Sequence, residues 1–244
     1  MDAFSSQAQL PQDYGLGFDE RCVEYPWMIS RLPFVERVLD AGGVFDNYRI
    51  NDFFASHRGN TRQSRDYWMC DHVSVWMLMF SLYFDVQATL LYGQHRAIGD
   101  LRAIPAADKS FDCIVCMSTL EHIGFDQMLY HGNSERAPDT WKAAVVEMRR
   151  VLSPGGSCLV TVPYGMREDH GWFRQFDAVD IEDLKDVFHP LAAVEEDYFG
   201  YGDDGWQITG PGALRFKRYR DVHEVGVGES DVAAARGVAC LRFA

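Results

Sequence analysis

The chain has 244 residues, which suits one α/β domain or one domain with an elaborated cap, and is cramped for two independent domains. Hydrophobic residues make up 47% and charged residues 24%, a globular composition that excludes a disordered chain. Lys and Arg number 23 against 36 Asp and Glu, a formal charge of −13, and a field of that sign repels phosphate backbones, so no nucleic-acid partner is expected.

The stretch from Met1 to Gln12 is polar and has no basic segment leading into an apolar core. The longest apolar stretch, Val73 to Phe84, falls short of the roughly 20 residues a bilayer span needs, so no membrane partner is expected. Cysteines stand at 22, 70, 113, 116, 158 and 240. Cys113 and Cys116 form a C-x-x-C inside an apolar run, and no second such pair completes a zinc site. The thiols read as reduced core residues of a cytoplasmic protein.

Residues 1–33 read as an arm followed by a short helical lid segment over Arg21 to Leu32, and residues 34–244 as the main domain. Val35 to Leu39 reads as a strand running into the Asp40-Ala41-Gly42-Gly43 turn, with a helix expected between about Asp46 and Ser56. His57 to Asp71 is polar and Arg-rich, the pattern of a surface loop; the Arg58 to Arg65 part of it is solvated or greets an anionic ligand. Val73 to Phe80 fits a second strand, while Met77 to Tyr92 fits a helix equally, because a continuous apolar run does not fix the period.

Phe111 to Met117 is an apolar run of the kind buried on both faces of a parallel sheet. Asp139 can cap a helix from Thr140 to Leu152, with Trp141, Val145, Met148 and Leu152 on one face, and Ser153-Pro154-Gly155-Gly156 stops it. Ser157 to Val162 reads as the next strand, Ala178 to Phe188 as a helix, and Ala193 to Phe199 and Gly237 to Phe243 as late strands. Strand and helix alternating in this way predict a doubly wound α/β sheet.

Ligands of such sheets bind beyond the carboxyl ends of the strands, where the strand order reverses. The segments expected there are Asp40 to Gly43, Gly99-Asp100-Leu101-Arg102, Met117 to His122, Pro163-Tyr164-Gly165 and Glu168 to Trp172. Carboxylates and imidazoles therefore gather at one edge.

These segments carry a resemblance. V-L-D-A-G-G (38–43), G-D-L-R-A-I-P (99–105), F-D-C-I-V-C-M-S-T-L-E-H-I (111–123) and E-M-R-R-V-L-S-P-G-G (147–156) resemble, in order, the motifs of class I S-adenosylmethionine-dependent methyltransferases. The match is to the small-molecule, type 11-like branch and covers roughly residues 35 to 165. S-T-L-E-H-I-G-F-D-Q with V-P-Y-G and H-G-W-F-R-Q-F-D is similar to methyltransferases of glycan and secondary-metabolite pathways.

The resemblance implies a Rossmann-like seven-stranded sheet whose last strand is antiparallel, and S-adenosyl-L-methionine as cofactor. It implies that Ala41, Gly42 and Gly43 pass under the methionine and ribose, with Asp40 holding the turn or the amino group. Asp100 would accept from the adenine amino group and the Leu101 N–H would serve a ring nitrogen. Met117 and Ser118 would line the floor beneath the sulfonium, and Tyr25, Trp27 or Tyr164 could present a ring face to it. The family's third glycine is replaced, since Val44, Phe45 and Asp46 follow Gly43. The acid expected at the end of the second strand has no match in Val73 to Phe84, and Asp85 fits only a longer strand.

The function implied is O-methylation of a hydroxyl on a sugar-containing or other small molecule. His170 is the first choice of base and His122 the second, with Glu121 or Asp169 orienting an imidazole or the acceptor. Asp126 and Tyr130 would line the acceptor pocket. No metal is expected, because the adjacent Glu168, Asp169 and His170 would rarely all face one ion. Residues 51–95 could build the acceptor pocket, a homodimer surface, or only the second strand and its helix. Two competitors stand beside this reading. One is a catalytically silent methyltransferase-like binding module; the other is a nicotinamide-dependent oxidoreductase, against which the absence of G-x-G-x-x-G spacing counts.

Overall fold

Alternating strands and helices assemble into a single twisted sheet with helices on both faces. The computed structural model describes residues 4, 9–33, 35–43, 66–71, 94–125, 135–220 and 234–244, and for 66–71 and 94–98 the backbone alone. The strands in chain order are β1 (Arg37–Ala41), β2 (Asp66–Asp71), β3 (Gln94–Ile98), β4 (Phe111–Met117), β5 (Leu152–Pro163), a short β6 (Glu168–Asp169) and β7 (Arg174–Gln175), β8 (Ala193–Gly202), β9 (Gly205–Thr209) and β10 (Gly237–Phe243). The helices are α1 (Arg21–Arg31), α2 (Trp141–Val151), α3 (Ala178–Phe188) and the single turn α4 (Pro211–Leu214).

The main sheet runs β3-β2-β1-β4-β5-β10-β8-β9. β1 to β5 are parallel neighbours, β10 is antiparallel to both β5 and β8, and β9 is antiparallel to β8. This is the expected doubly wound order with its antiparallel late strand. Among the described residues the sheet has eight strands, not seven: the eighth, β9, is added by a hairpin turning back at Gly205 (φ +77). β6 and β7 form a separate small hairpin.

The side-chain period of two explains the layering. Along β4, Cys113, Val115 and Met117 join one buried cluster, and Ile114 and Cys116 the other. The C-x-x-C therefore points its thiols to opposite faces of the sheet and cannot close a bridge. Burial raises the Cys116 thiol, with the fields of Glu121 and Asp40 adding. The cluster of Cys113, Val115 and Met117 packs α1 (Val23, Trp27, Met28) on one face, and that of Ile114 and Cys116 packs α2 (Trp141, Ala144, Val145, Met148, Val151) and α3 (Ile181, Leu184, Phe188) on the other.

α1 contains Pro26, which has no N–H to give the Cys22 carbonyl. The Tyr14 hydroxyl donates to that carbonyl instead, at 2.9 Å. Trp27 and Arg31 then fix the helix to the sheet: Trp27 Nε1 donates to Asp197 Oδ2 at 2.8 Å, and Arg31 pairs with Asp197 at 2.7 Å and Glu195 at 2.5 Å. Trp27 is thus a core residue, in a position the sulfonium reading did not foresee. Tyr164 is one too, buried in the opposite layer edge-on to Tyr198.

α3 begins at a reciprocal capping box between Asp177 and Asp180. α2 begins at Thr140 without a side-chain cap; Asp139, expected there, lies 3.4 Å from Arg174. The second strand also departs from expectation. It is Asp66–Asp71, drawn from the segment read as a surface loop, and it pairs with β1 residue for residue from Arg37↔Asp66 to Ala41↔Cys70. The helix expected over 46–56, the Arg-rich stretch 58–65, the apolar stretch 73–92, Asp85, Asp126 and Tyr130 lie outside the described residues.

Candidate active site

Strand order reverses between β1 and β4, so their carboxyl ends open the crevice where such sheets bind ligands. Asp40 is the next-to-last residue of β1 and is fully buried. Val38 belongs to the α1-side cluster and Leu39 and Ala41 to the other, so alternation sets Asp40 on the face α1 covers. Gly42 (φ +109) and Gly43 (φ +65) then turn the chain where only glycine is unstrained. A Cβ on Gly42 would lie 2.2 Å from Thr119 Oγ1. The close approach the glycine permits is therefore to the β4 loop.

Above Asp40 sits a polar patch within an otherwise apolar layer. Glu24 of α1 is completely buried and accepts from Ser118 Oγ at 2.5 Å, Thr161 Oγ1 at 2.6 Å and Arg21 Nη1 at 2.6 Å. Ser118 follows β4 at φ +40, and its N–H donates to the Thr161 carbonyl at 3.0 Å. The carboxyl ends of two strands, β4 and β5, are thus tied to α1 at a single carboxylate. Burial raises the Tyr25 hydroxyl against the lowering field of Arg21, and the charge of Asp40 adds to the rise. Met117 is fully buried beneath this patch.

Glu121, in the short 3-10 turn Leu120–His122, is 2% exposed. Burial pushes its carboxyl well above the usual range, and the charges of Glu24 and Glu20 push the same way, against a backbone hydrogen bond and Arg21. Glu20 is raised to about 7, by burial first and by Glu24 second. A carboxyl whose folded value exceeds its unfolded one binds more protons folded than unfolded between the two. Stability contributed by Glu20 therefore falls as pH rises from 4.5 to about 7. The difference in urea midpoint between wild type and Glu20→Gln, followed across that range, checks this: the variant should lack that fall.

Asp100 follows β3 at the same edge, about 10 Å from β1 at two strand spacings. It caps the 3-10 turn Leu101–Ala103, accepting from the Arg102 N–H at 2.8 Å, and both its oxygens take the Arg102 guanidinium at 2.6–2.9 Å. Arg102 also pairs with Glu135 at 2.5 Å. Asp100 is thus a turn-capping residue in an ion pair, with both oxygens engaged by Arg102. Leu101 is buried in the α2-side cluster.

The structure adds a residue the sequence reading missed. With β2 ending at Asp71, an acid stands at the end of the second strand after all. The signal was the run Y-W-M-C between two aspartates, strand-forming residues obscured by their Arg-rich approach. Glu24 was equally legible: it falls one turn before Met28, on a helix face shared with Val23 and Trp27.

The imidazoles stand beside the acids. His122 Nδ1 is 3.2 Å from the Trp172 carbonyl, which can only accept, so Nδ1 carries the proton and Nε2 of the neutral ring is basic. That Nε2 lies 3.9 Å from Glu121 Oε1. His122 stacks on Trp172 with centroids 5.2 Å apart, and Trp172 leads through Phe173 to His170, whose ring lies parallel to Phe173 at 4.7 Å. His170 Nε2 is buried, has no hydrogen-bond partner and lies 3.6 Å from Glu168 Oε2. Glu168 is held by Arg218 and the Tyr219 N–H, and Asp169 accepts from the Gly171 N–H. Among the described residues no group of three His, Cys, Asp or Glu could hold a metal ion. No described helix is long and apolar enough to cross a membrane.

Parallel strands β3-β2-β1-β4-β5 followed by an antiparallel late strand, with acids at the ends of the first three, define a Rossmann-like methyltransferase architecture. Residues 80–160 match the family model described as "Methyltransferase domain". No curated protein sequence matches the chain. Among solved structures it is similar to the 1,6-didemethyltoxoflavin-N1-methyltransferase of Burkholderia thailandensis, solved with 1,6-didemethyltoxoflavin and S-adenosylhomocysteine bound, at 14% identity over 85% of this chain and 69% of that one, with a TM-score of 0.51. It is similar to the candidate methyltransferase in complex with the Trm112 activator of Haloferax volcanii at 16% identity over 99% and 94%, TM-score 0.55. It is also similar to the [4+2]-cyclase SpnF at 18% identity over 87% and 75%, TM-score 0.50. At these identities the likeness is one of fold. The sheet has the Rossmann-like methyltransferase fold, and the family-model match over residues 80–160 and the motifs point the same way, to S-adenosylmethionine-dependent methyl transfer.

Proposed function

We propose that this protein transfers a methyl group from S-adenosylmethionine to a hydroxyl of a small, sugar-containing or secondary-metabolite acceptor. The observation that carries the reading is the placement of Asp40, Asp71 and Asp100 at the carboxyl ends of three neighbouring parallel strands, beside the reversal of strand order. The spacing suits an elongated ligand with donors at both ends. The Gly42-Gly43 turn would run under its middle, Asp40 would take the amino group, Asp71 the ribose hydroxyls, and Asp100 with the Leu101 N–H the adenine. Bound there, the cofactor supplies an electrophilic methyl on a cationic sulfur.

The rest is work for the protein's own groups. Met117 and Ser118 form the floor, and α1 with Tyr25 keeps water out. His122 Nε2 or His170 Nε2 takes the proton of the acceptor hydroxyl as attack proceeds, and Glu121 positions His122 or the acceptor. Holding oxygen and methyl in line is the larger contribution. The Haloferax neighbour is solved with an activator, and a homodimer or an activator on this chain is a matter for sizing of the purified protein.

S-adenosylhomocysteine at 100 times its dissociation constant is expected to stabilise the protein by about 2.7 kcal/mol in thermal melts. Asp71→Ala should weaken that binding about tenfold or more, as hydrogen bonds to a charged group are worth roughly 1.5–3 kcal/mol. A protein that never binds the ligand, or an Asp71→Ala variant that binds it as wild type does, would overturn the reading. Binding without any methyl gain on a panel of hydroxyl acceptors favours the silent binding module.

A further inference from the structure

We infer that the acceptor carries a protonated amine, held between Glu121 and the carboxylates of α1; the inference rests on the methyltransferase reading above and names its substrate class. Three carboxyl groups lie in one another's fields here: Glu20 and Glu24 on α1, and Glu121 after β4. The described cation among them is Arg21, which lies in the fields of Glu24, Glu20 and Glu121.

Glu24 is saturated, with donors from Ser118, Thr161 and Arg21. Glu121 and Glu20 are not. Oε2 of each is buried and has no hydrogen-bond partner. Leaving a buried acceptor unpaired is costly, so two such oxygens on carboxyls in each other's fields mark where a donor belongs. An ionised carboxylate only accepts. A hydroxyl would satisfy one oxygen and leave the charge uncompensated; an anion would be repelled. An ammonium brings three N–H donors and the compensating charge together. The ring stack that continues from Glu121 through His122 and Trp172 offers faces that suit an organic cation and its apolar body. Burial raises the Glu121 carboxyl, and an ammonium beside it favours the ionised form, so binding releases a proton to solvent. No bond is made or broken in this step.

The cofactor's own ammonium is the rival occupant, and the experiment separates the two. The full chain saturated with S-adenosylhomocysteine is titrated calorimetrically with glucosamine and N-acetylglucosamine, and with 2-aminoethanol and N-acetylethanolamine, in two buffers of different ionisation enthalpy. In at least one pair the amine should bind about tenfold tighter than its acetylated counterpart and release a proton. Glu121→Gln should lower the amine affinity about tenfold and leave the acetylated compound unaffected, as should Glu20→Gln more weakly; the unliganded melting temperature shows whether each variant folds. Equal binding of amine and amide, no binding of either amine, or unchanged amine affinity in both variants overturns the inference. Loss of S-adenosylhomocysteine affinity in Glu121→Gln, with no amine binding, assigns the carboxylate to the cofactor and also overturns it. Failure of the wild type to bind S-adenosylhomocysteine is a different result and removes the methyltransferase reading itself.

Discussion

Glu24→Ala is expected to lower folding stability by about 3–5 kcal/mol, because it removes one partner of a buried, hydrogen-bonded ion pair and strands the others. Ser118 Oγ, Thr161 Oγ1 and the Arg21 guanidinium all lose their acceptor at once. Arg21 keeps a partly exposed side chain and can turn toward water, while Thr161 is fully buried and cannot. The loss should spread to ligand binding, since the same carboxylate ties α1 to the ends of β4 and β5. The remaining anchor, Trp27 and Arg31 on Asp197, lies one to two turns further along α1 and should keep the helix on the sheet. Urea unfolding with S-adenosylhomocysteine absent and present measures both effects. A loss under about 1 kcal/mol would mean that the three bonds are replaced by water and that α1 is held by its apolar face alone.

Gly42→Ala should cost about 2–5 kcal/mol, for two separable reasons. At φ +109 a side chain is strained wherever it points, and the new methyl would meet Thr119 Oγ1 at 2.2 Å and Cγ2 at 2.7 Å. Adding Thr119→Ala to Gly42→Ala removes those two contacts and should recover about half of the loss, leaving the backbone strain and the approach to the residue 119 Cβ at 2.9 Å. Urea midpoints of the two single variants and the double variant give the partition. If Gly42→Ala alone melts with the wild type, the turn after β1 is free to relax and cannot be the fixed floor that the cofactor requires.

Both expectations depend on pairings between distant segments, and this divides what could be read from the chain alone. β4 was legible as an apolar run, β10 as a late strand over Gly237 to Phe243 and α3 as a helix over Ala178 to Phe188, because strand and helix periods are local. The order of the elements fixed the doubly wound class, and the motifs at the ends of β1, β3 and β4 located the crevice before any coordinates. β2 was misplaced because its apolar run is only four residues long, stands between two aspartates and follows an Arg-rich stretch. What makes Asp66–Asp71 a strand is parallel pairing on both sides, with β1 and with β3, and no local pattern records that.

The same distinction holds at the site. Residue types announced an acidic, imidazole-bearing edge; they did not say which acids are already satisfied. Asp100 turned out to be engaged by Arg102 two residues on, and Trp27 and Tyr164 to be buried by opposite layers. Sequence by itself determined the order of the elements, the apolar faces and the edge where chemistry gathers, since each depends on residues close together in the chain. Tertiary structure alone decided that Glu24 is saturated while Glu121 and Glu20 keep bare oxygens, because hydrogen-bond satisfaction is a property of groups that meet only when α1, β4 and β5 are brought to one place.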